Sequence, residues 1–273
     1  MLIRVGFDVA FDLPAPSPFL LMLNLHPSRL PSVRRPEHIK VEPQSATITQ
    51  YTDTFGNTCG RLMAPAGRLR LYNDAVVEDH GFPDELGVWA GQHPIDQLPP
   101  DVLQFLLPSR FCEVDLMKDI AWELFKNNPP GWPLAQAISN WVHANVEFGY
   151  QHARVTKTAA EVYRERQGVC RDFTHLGVTF CRAMNIPARY VTGYLGDIGV
   201  PYNPAPMDFS AWMEVYLGGR WWTMDPRHNA TRIGRVLMAR GRDATDVALT
   251  TAFGVANLTQ FNVWTHEVNT TAA

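Results

Sequence analysis

Between Gly168 and Asn229 the apolar pattern changes from helical to alternating, and this change narrows the folds open to the chain. After Cys170, residues Phe173, Leu176 and Phe180 repeat at helical spacing and predict a helix to Met184 with one buried face. Gly177 falls on that face, where a missing side chain lets a neighbouring element approach closely. Ile186 to Tyr194 reads as a strand. Ser210 to Leu217 and Arg220 to Asp225 read as a strand pair turning at Gly218-Gly219. Helices first and strands after predict an α+β arrangement.

A symmetric turn fixes the register. Leu217 then faces Arg220, Trp212 faces Asp225, and Ser210 faces Arg227. Side chains alternate between faces, so Ser210, Trp212, Asp225 and Arg227 share one surface. Ser210 and Asp225 become diagonal neighbours, about 7–8 Å apart. An imidazole at position 210 would bridge that gap, donate to the carboxylate, and aim its other nitrogen at a thiol across the sheet. That is the nucleophile, base and orienter arrangement of acyl transfer.

Cys170 supplies the thiol. It stands where a helix starts, soon after Gly168, and the free N–H groups of a helix start favour a thiolate. Those groups can also stabilise an acyl oxyanion. The other three cysteines, Cys59, Cys112 and Cys181, read as small core residues.

The region before residue 98 looks all-β. Apolar and polar residues alternate from Ile3 to Leu13, Phe19 to Leu25 is apolar, and Thr47–Thr52 turns through Asp53–Asn57 into Cys59–Met63. Leu69–Tyr72 and Ala75–Val77 add strands, and residues 26–45 read as a long surface connection. Helical patterns follow at 101–107, 113–125, from Pro133, and at 158–165, where Thr158 and Glu161 form a capping box. The division is a β-sandwich-like domain over 1–98 and a helix-and-sheet core over 99–273.

Composition excludes several classes. The 273 residues carry a formal net charge of -3, which offers no basic field for nucleic acid or an anionic membrane. No apolar run is long enough to span a bilayer. The start is not a secretion signal, because Arg4 and Asp8 interrupt it. The cysteine spacing fits neither a zinc site nor a disulfide framework, and there is no calcium-type cluster of oxygen ligands. Free thiols, a cytoplasmic setting and no cofactor or metal are expected.

Gly-Val-Cys-Arg-Asp-Phe (168–173), Ala-Trp-Met-Glu-Val-Tyr-Leu (211–217) and Asp-Pro-Arg-His-Asn (225–229) resemble the bacterial transglutaminase-like superfamily, related in its core to papain-like cysteine peptidases. The likeness covers about Trp141 to Asn229. The β-rich start resembles the N-terminal domain that often precedes that core, and Gly241–Val247 a segment that follows it. The resemblance implies a Cys-His-Asp triad acting on a peptide or protein substrate. Cys170 and Asp225 match its first and third members. The second departs: the family pattern is His-Ala-Trp, and this chain has Ser210-Ala211-Trp212.

Serine is no base near neutral pH, and losing a general base forfeits ~10²–10⁴ in rate. Two functions are therefore open: an impaired cysteine peptidase, amidase or acyl transferase, or a pseudoenzyme that binds a peptide or protein in the same cleft. By strand alternation His228 falls on the opposite face from Asp225, and His175 lies about 140° round the helix from Cys170, so neither is expected to stand in for the missing histidine. Trp212 reads as a core residue that can also line the substrate cleft beside Cys170.

Overall fold

The structure, a computed structural model, describes residues 1–268. Seven strands come first: β1 (Leu2–Leu13), β2 (Ser17–Leu21), β3 (Val33–Arg35), β4 (Lys40–Glu42), β5 (Thr49–Thr52), β6 (Thr58–Ala64) and β7 (Gly67–Glu78). Helices α1 (Pro100–Leu103), α2 (Val114–Phe125) and α3 (Trp132–Asn145) follow, then β8 (Glu147–Phe148), α4 (Ala159–Glu165), β9 (Gln167–Gly168) and α5 (Cys170–Ala183). The chain continues through β10 (Ala188–Tyr194), β11 (Ser210–Leu217), β12 (Arg220–Met224), β13 (Val236–Gly241), β14 (Thr250–Ala252) and β15 (Asn257–Glu267).

The fold is α+β. One sheet runs β15-β1-β7-β3, with β4 also on β7, and a second runs β14-β2-β6-β5. Alternation in β1 explains how it serves both a core and a surface. Ile3, Val5, Phe7 and Val9 are buried, while Arg4 pairs with Asp74 and Asp8 with Arg70 across to β7.

β14 and β15 correct the simple two-part division. β15 pairs with β1 from Ile3 to Asp12, and β14 pairs with β2. Residues 250–267 therefore complete the N-terminal sheets, although the division at residue 98 assigns them to the core. Residues 26–45 also carry more order than a surface connection: a 3₁₀ turn at Pro27–Ser32 is followed by β3 and β4.

The core sheet runs β12-β11-β10-β13. The hairpin takes the symmetric register, from Leu217↔Arg220 to Met213↔Met224. Gly218 and Gly219 both have positive φ, 58° and 83°, as a tight turn between right-twisted strands requires. Helix α5 lies on the face that carries Met213, Val215 and Leu217, packing Phe173, Leu176 and Phe180 there. A Cβ on Gly177 would sit 2.9 Å from Met213 Sδ and from Pro226 Cγ, so glycine sets this close approach. The Thr158–Glu161 capping box starts α4 as its sequence predicts. The end of the core sheet rests on the N-terminal layer through Tyr194, Phe209, Val236 and Met238.

Candidate active site

Cys170 opens α5 and is partly exposed; the other three cysteines are buried, and all four are free thiols. Asp172 caps the helix start by accepting the Val169 N–H at 3.0 Å. Cys170 packs against a small cluster that holds Tyr190, Ala211 and Ala239 of β10, β11 and β13. Burial pushes its pKa up to about 11; Asp208 adds to the rise and Arg227 opposes it. The helix start alone does not make this thiol a thiolate, so nucleophilic attack needs a proton acceptor.

Asp225 lies just past β12 and is buried. Its Oδ1 accepts the backbone N–H groups of Arg227 and His228, both at 3.1 Å. Its Oδ2 accepts His228 Nδ1 at 2.8 Å and Arg235 Nη2 at 2.9 Å. Burial alone would raise its pKa, but Arg235 and His228 overcome that and hold the carboxyl below the usual carboxylate range. Arg235 is itself held by Asp84 through Nε at 2.9 Å.

The position of His228 overturns its expected orientation. Strand alternation does not apply to it, because β12 ends at Met224 and Pro226, Arg227 and His228 form a turn. That turn folds the histidine back onto Asp225, three residues earlier. With Nδ1–H donated to a carboxylate, the lone pair of the neutral ring lies on Nε2. Nε2 has no hydrogen-bond partner among the described residues. The missed signal was local: Asp-Pro followed by polar residues is a turn pattern, in which an aspartate accepts backbone N–H groups two and three residues on.

Ser210 borders the same cavity as His228, a space of about 290 Å³ also lined by Tyr150, Asp208 and Arg227. Its own Oγ is enclosed and has no hydrogen-bond partner among the described residues. Trp212 is placed elsewhere than a cleft beside Cys170. It is 2% exposed and packs with Val191 and Leu237. Arg235 lies 5.0 Å from the centre of its ring. Alternation along β11 puts Trp212 on the sheet face away from α5, because Met213 takes the α5 side. It borders a different cavity, with Glu214 and Arg240.

His175 is a packing residue. It is fully buried between Phe111 and Tyr190, and its Nε2 accepts the Ala244 N–H at 3.1 Å. Burial lowers its pKa and keeps it neutral. Asp243 and Asp246 hold the loop after β13: Asp243 accepts the Thr245 and Phe111 N–H groups, and Asp246 that of Arg242. Among the described residues no group of three or more His, Cys, Asp or Glu side chains could hold a metal ion, and no helix is long and apolar enough to cross a membrane.

A thiol at the start of a helix laid on an antiparallel sheet, with a buried carboxylate at the end of the neighbouring hairpin, is the architecture of a transglutaminase-like core. Residues 118–226 match the Transglutaminase-like superfamily. A crystal structure described as a candidate cysteine protease from Cytophaga hutchinsonii is similar over 99% of this chain and 91% of that one. Its TM-score is 0.85 and its sequence identity 29%. An uncharacterised protein of Mycobacterium leprae is 28% identical over 221 residues, 77% of each chain. An uncharacterised Mycobacterium tuberculosis protein is 23% identical over 228 residues, 77% of this chain and 73% of its own length.

Proposed function

We propose that the chain is a cysteine hydrolase or acyl transferase acting on carboxamide or peptide bonds, with Cys170 as nucleophile, His228 as base and Asp225 as orienter. The observation that carries this reading is the 2.8 Å bond between His228 Nδ1 and Asp225, with His228 on the wall of the cavity that Ser210 also borders. His228 Nε2 takes the thiol proton as Cys170 attacks the carbonyl carbon. The tetrahedral oxyanion is held by the N–H groups at the start of α5, where Cys170 and Arg171 have no backbone acceptor among the described residues. Collapse returns the proton to the departing amine and leaves an acyl-thioester, which passes to water or to a second amine. The four free thiols fit a reducing, cytoplasmic setting.

A second reading has its own observation. Arg235 shares Asp225 Oδ2 with His228, and a carboxylate held by a guanidinium is less available to stabilise an imidazolium. On that reading the cleft binds a peptide or protein without turnover. Amide hydrolysis and amine incorporation on a glutamine-containing peptide library separate the two. Activity lost in Cys170→Ala and reduced ~10²–10⁴-fold in His228→Gln supports the enzyme. Activity unchanged in His228→Gln removes His228 from the mechanism, and saturable peptide binding with no turnover favours the second reading.

A further inference from the structure

The cavity beside Ser210 and His228 holds two opposite charges that its own pairing leaves over. Six charged or titratable side chains line it: Tyr150, Asp197, Asp208, Arg227, His228 and Arg232. His228 is bonded to Asp225, and Asp197 pairs with Arg232 at 3.7 Å. Asp208 and Arg227 form no ion pair among the described residues. The Arg227 guanidinium lies 3.8 Å from the centre of the Phe148 ring, which holds it to one side.

Asp208 is held in place by its neighbour. Phe209 is 5% exposed and packs against Phe7, Tyr194 and Phe261 in the N-terminal core. Asp208, just before this anchor, lines the wall of the cavity. Three residues further on, the Ala211 backbone N–H bonds to the Cys170 sulfur. The fold thus keeps an unpaired, half-buried carboxylate close to the proposed nucleophile.

This is a poor arrangement for an empty site. A carboxylate opposes the thiolate that catalysis needs, burial disfavours the carboxylate's own charge, and Arg227 in the same cavity offsets only part of each effect. A cation beside Asp208 removes both penalties at once. We propose that Asp208 is a specificity residue that selects substrates carrying a cationic group, an ammonium or guanidinium, next to the carbonyl under attack. The inference rests on Cys170 being the nucleophile. A substrate with this charge neutralises Asp208 as it binds, and so eases ionisation of the thiol only when the correct substrate is in place.

Charged thiol reagents test this without turnover. The Cys170 thiolate attacks the sulfenyl sulfur of a methanethiosulfonate, a mixed disulfide forms, and methanesulfinate leaves. The rate with the cationic 2-aminoethyl reagent is divided by the rate with the anionic 2-sulfonatoethyl reagent, and the ratio is normalised to a free model thiol. Cys59, Cys112 and Cys181 are at most 1% exposed, and peptide mapping assigns the label to Cys170.

The normalised ratio is expected to be about tenfold in favour of the cation at low salt. It should fall to about one in Asp208→Asn and persist in Asp208→Glu. A ratio at or below one in the unmodified chain, or an unchanged ratio in Asp208→Asn, overturns the proposal. An anionic preference would assign the cavity to Arg227 instead. Should Asp208→Asn fail to fold, salt decides: the preference should collapse towards one by about 1 M salt, and a salt-insensitive ratio overturns it. A chain that shows the cationic preference yet turns over no amide loses the enzymatic reading and keeps Asp208 as a binding residue.

Discussion

His228 reaches Asp225 from three residues downstream, through a turn, at 2.8 Å. In the parent pattern the imidazole arrives across the hairpin, from the position Ser210 holds here. One carboxylate can be approached from both sides, so moving the histidine need not move the acid. Ser210 Oγ is enclosed and has no hydrogen-bond partner among the described residues.

This gives a rescue experiment. In the His228→Gln background, Ser210→His should recover about 10² of the lost amidase or transferase rate, because the new imidazole can reach the vacated side of Asp225. In the unmodified chain the same substitution should gain little, since His228 already occupies the acid. A large gain from Ser210→His alone would show that His228 is not the base.

Labelling of Cys170 by iodoacetamide should follow the thiolate fraction. The thiol pKa is raised to about 11, so the thiol form dominates at neutral pH. The rate should climb about tenfold per pH unit through the neutral range and level off only as pH approaches the thiol pKa. A plateau near pH 7, measured by stopped labelling and mass spectrometry, would mean that the helix start stabilises the thiolate unaided.

Arg235→Met should destabilise the fold by about 3–5 kcal/mol, the cost of leaving a buried partner uncompensated. Arg235 and Asp225 have side chains 7% and 2% exposed, and Asp84 loses its guanidinium as well. Because the Asp225 pKa is depressed, the stability it contributes is present above the unfolded carboxylate pKa of ~3.9 and is lost as pH falls below that value. Urea unfolding at pH 7 and pH 3 should therefore show a smaller loss from the substitution at the lower pH. Equal losses at both would mean that the ion pair is not what Arg235 contributes.

Gly177→Val should separate α5 from the hairpin. Its Cβ alone would meet Met213 and Pro226 at 2.9 Å, and overpacking of this kind costs about 1–3 kcal/mol. Since Pro226 joins Asp225 to the turn that carries His228, activity should fall more than stability. A variant with wild-type turnover and a lowered midpoint would show that the acid and its turn do not depend on this contact.

Much of this was legible in the sequence where one local rule governed. The hairpin register followed from Gly218-Gly219, and α5 from the Phe173, Leu176 and Phe180 spacing. Cys170 and Asp225 occupy the helix start and strand end where those patterns put them. His228 was misread because strand alternation was carried one turn too far, past Pro226. Trp212 was misplaced because a strand pattern gives a shared face but not which layer covers it. The pairing of β15 with β1 joins residues about 250 positions apart, and no local pattern states that two alternating segments are partners.

That pairing has a consequence for biosynthesis. On a ribosome β1 emerges well before β15, so its edge stays unpaired until about 250 further residues have been made. The helical core, whose contacts are mostly closer in sequence, can consolidate while the β-layer waits with an open flank. Such a flank is a template for stray pairing, so slowed elongation between β1 and β15 should favour aggregation of nascent chains.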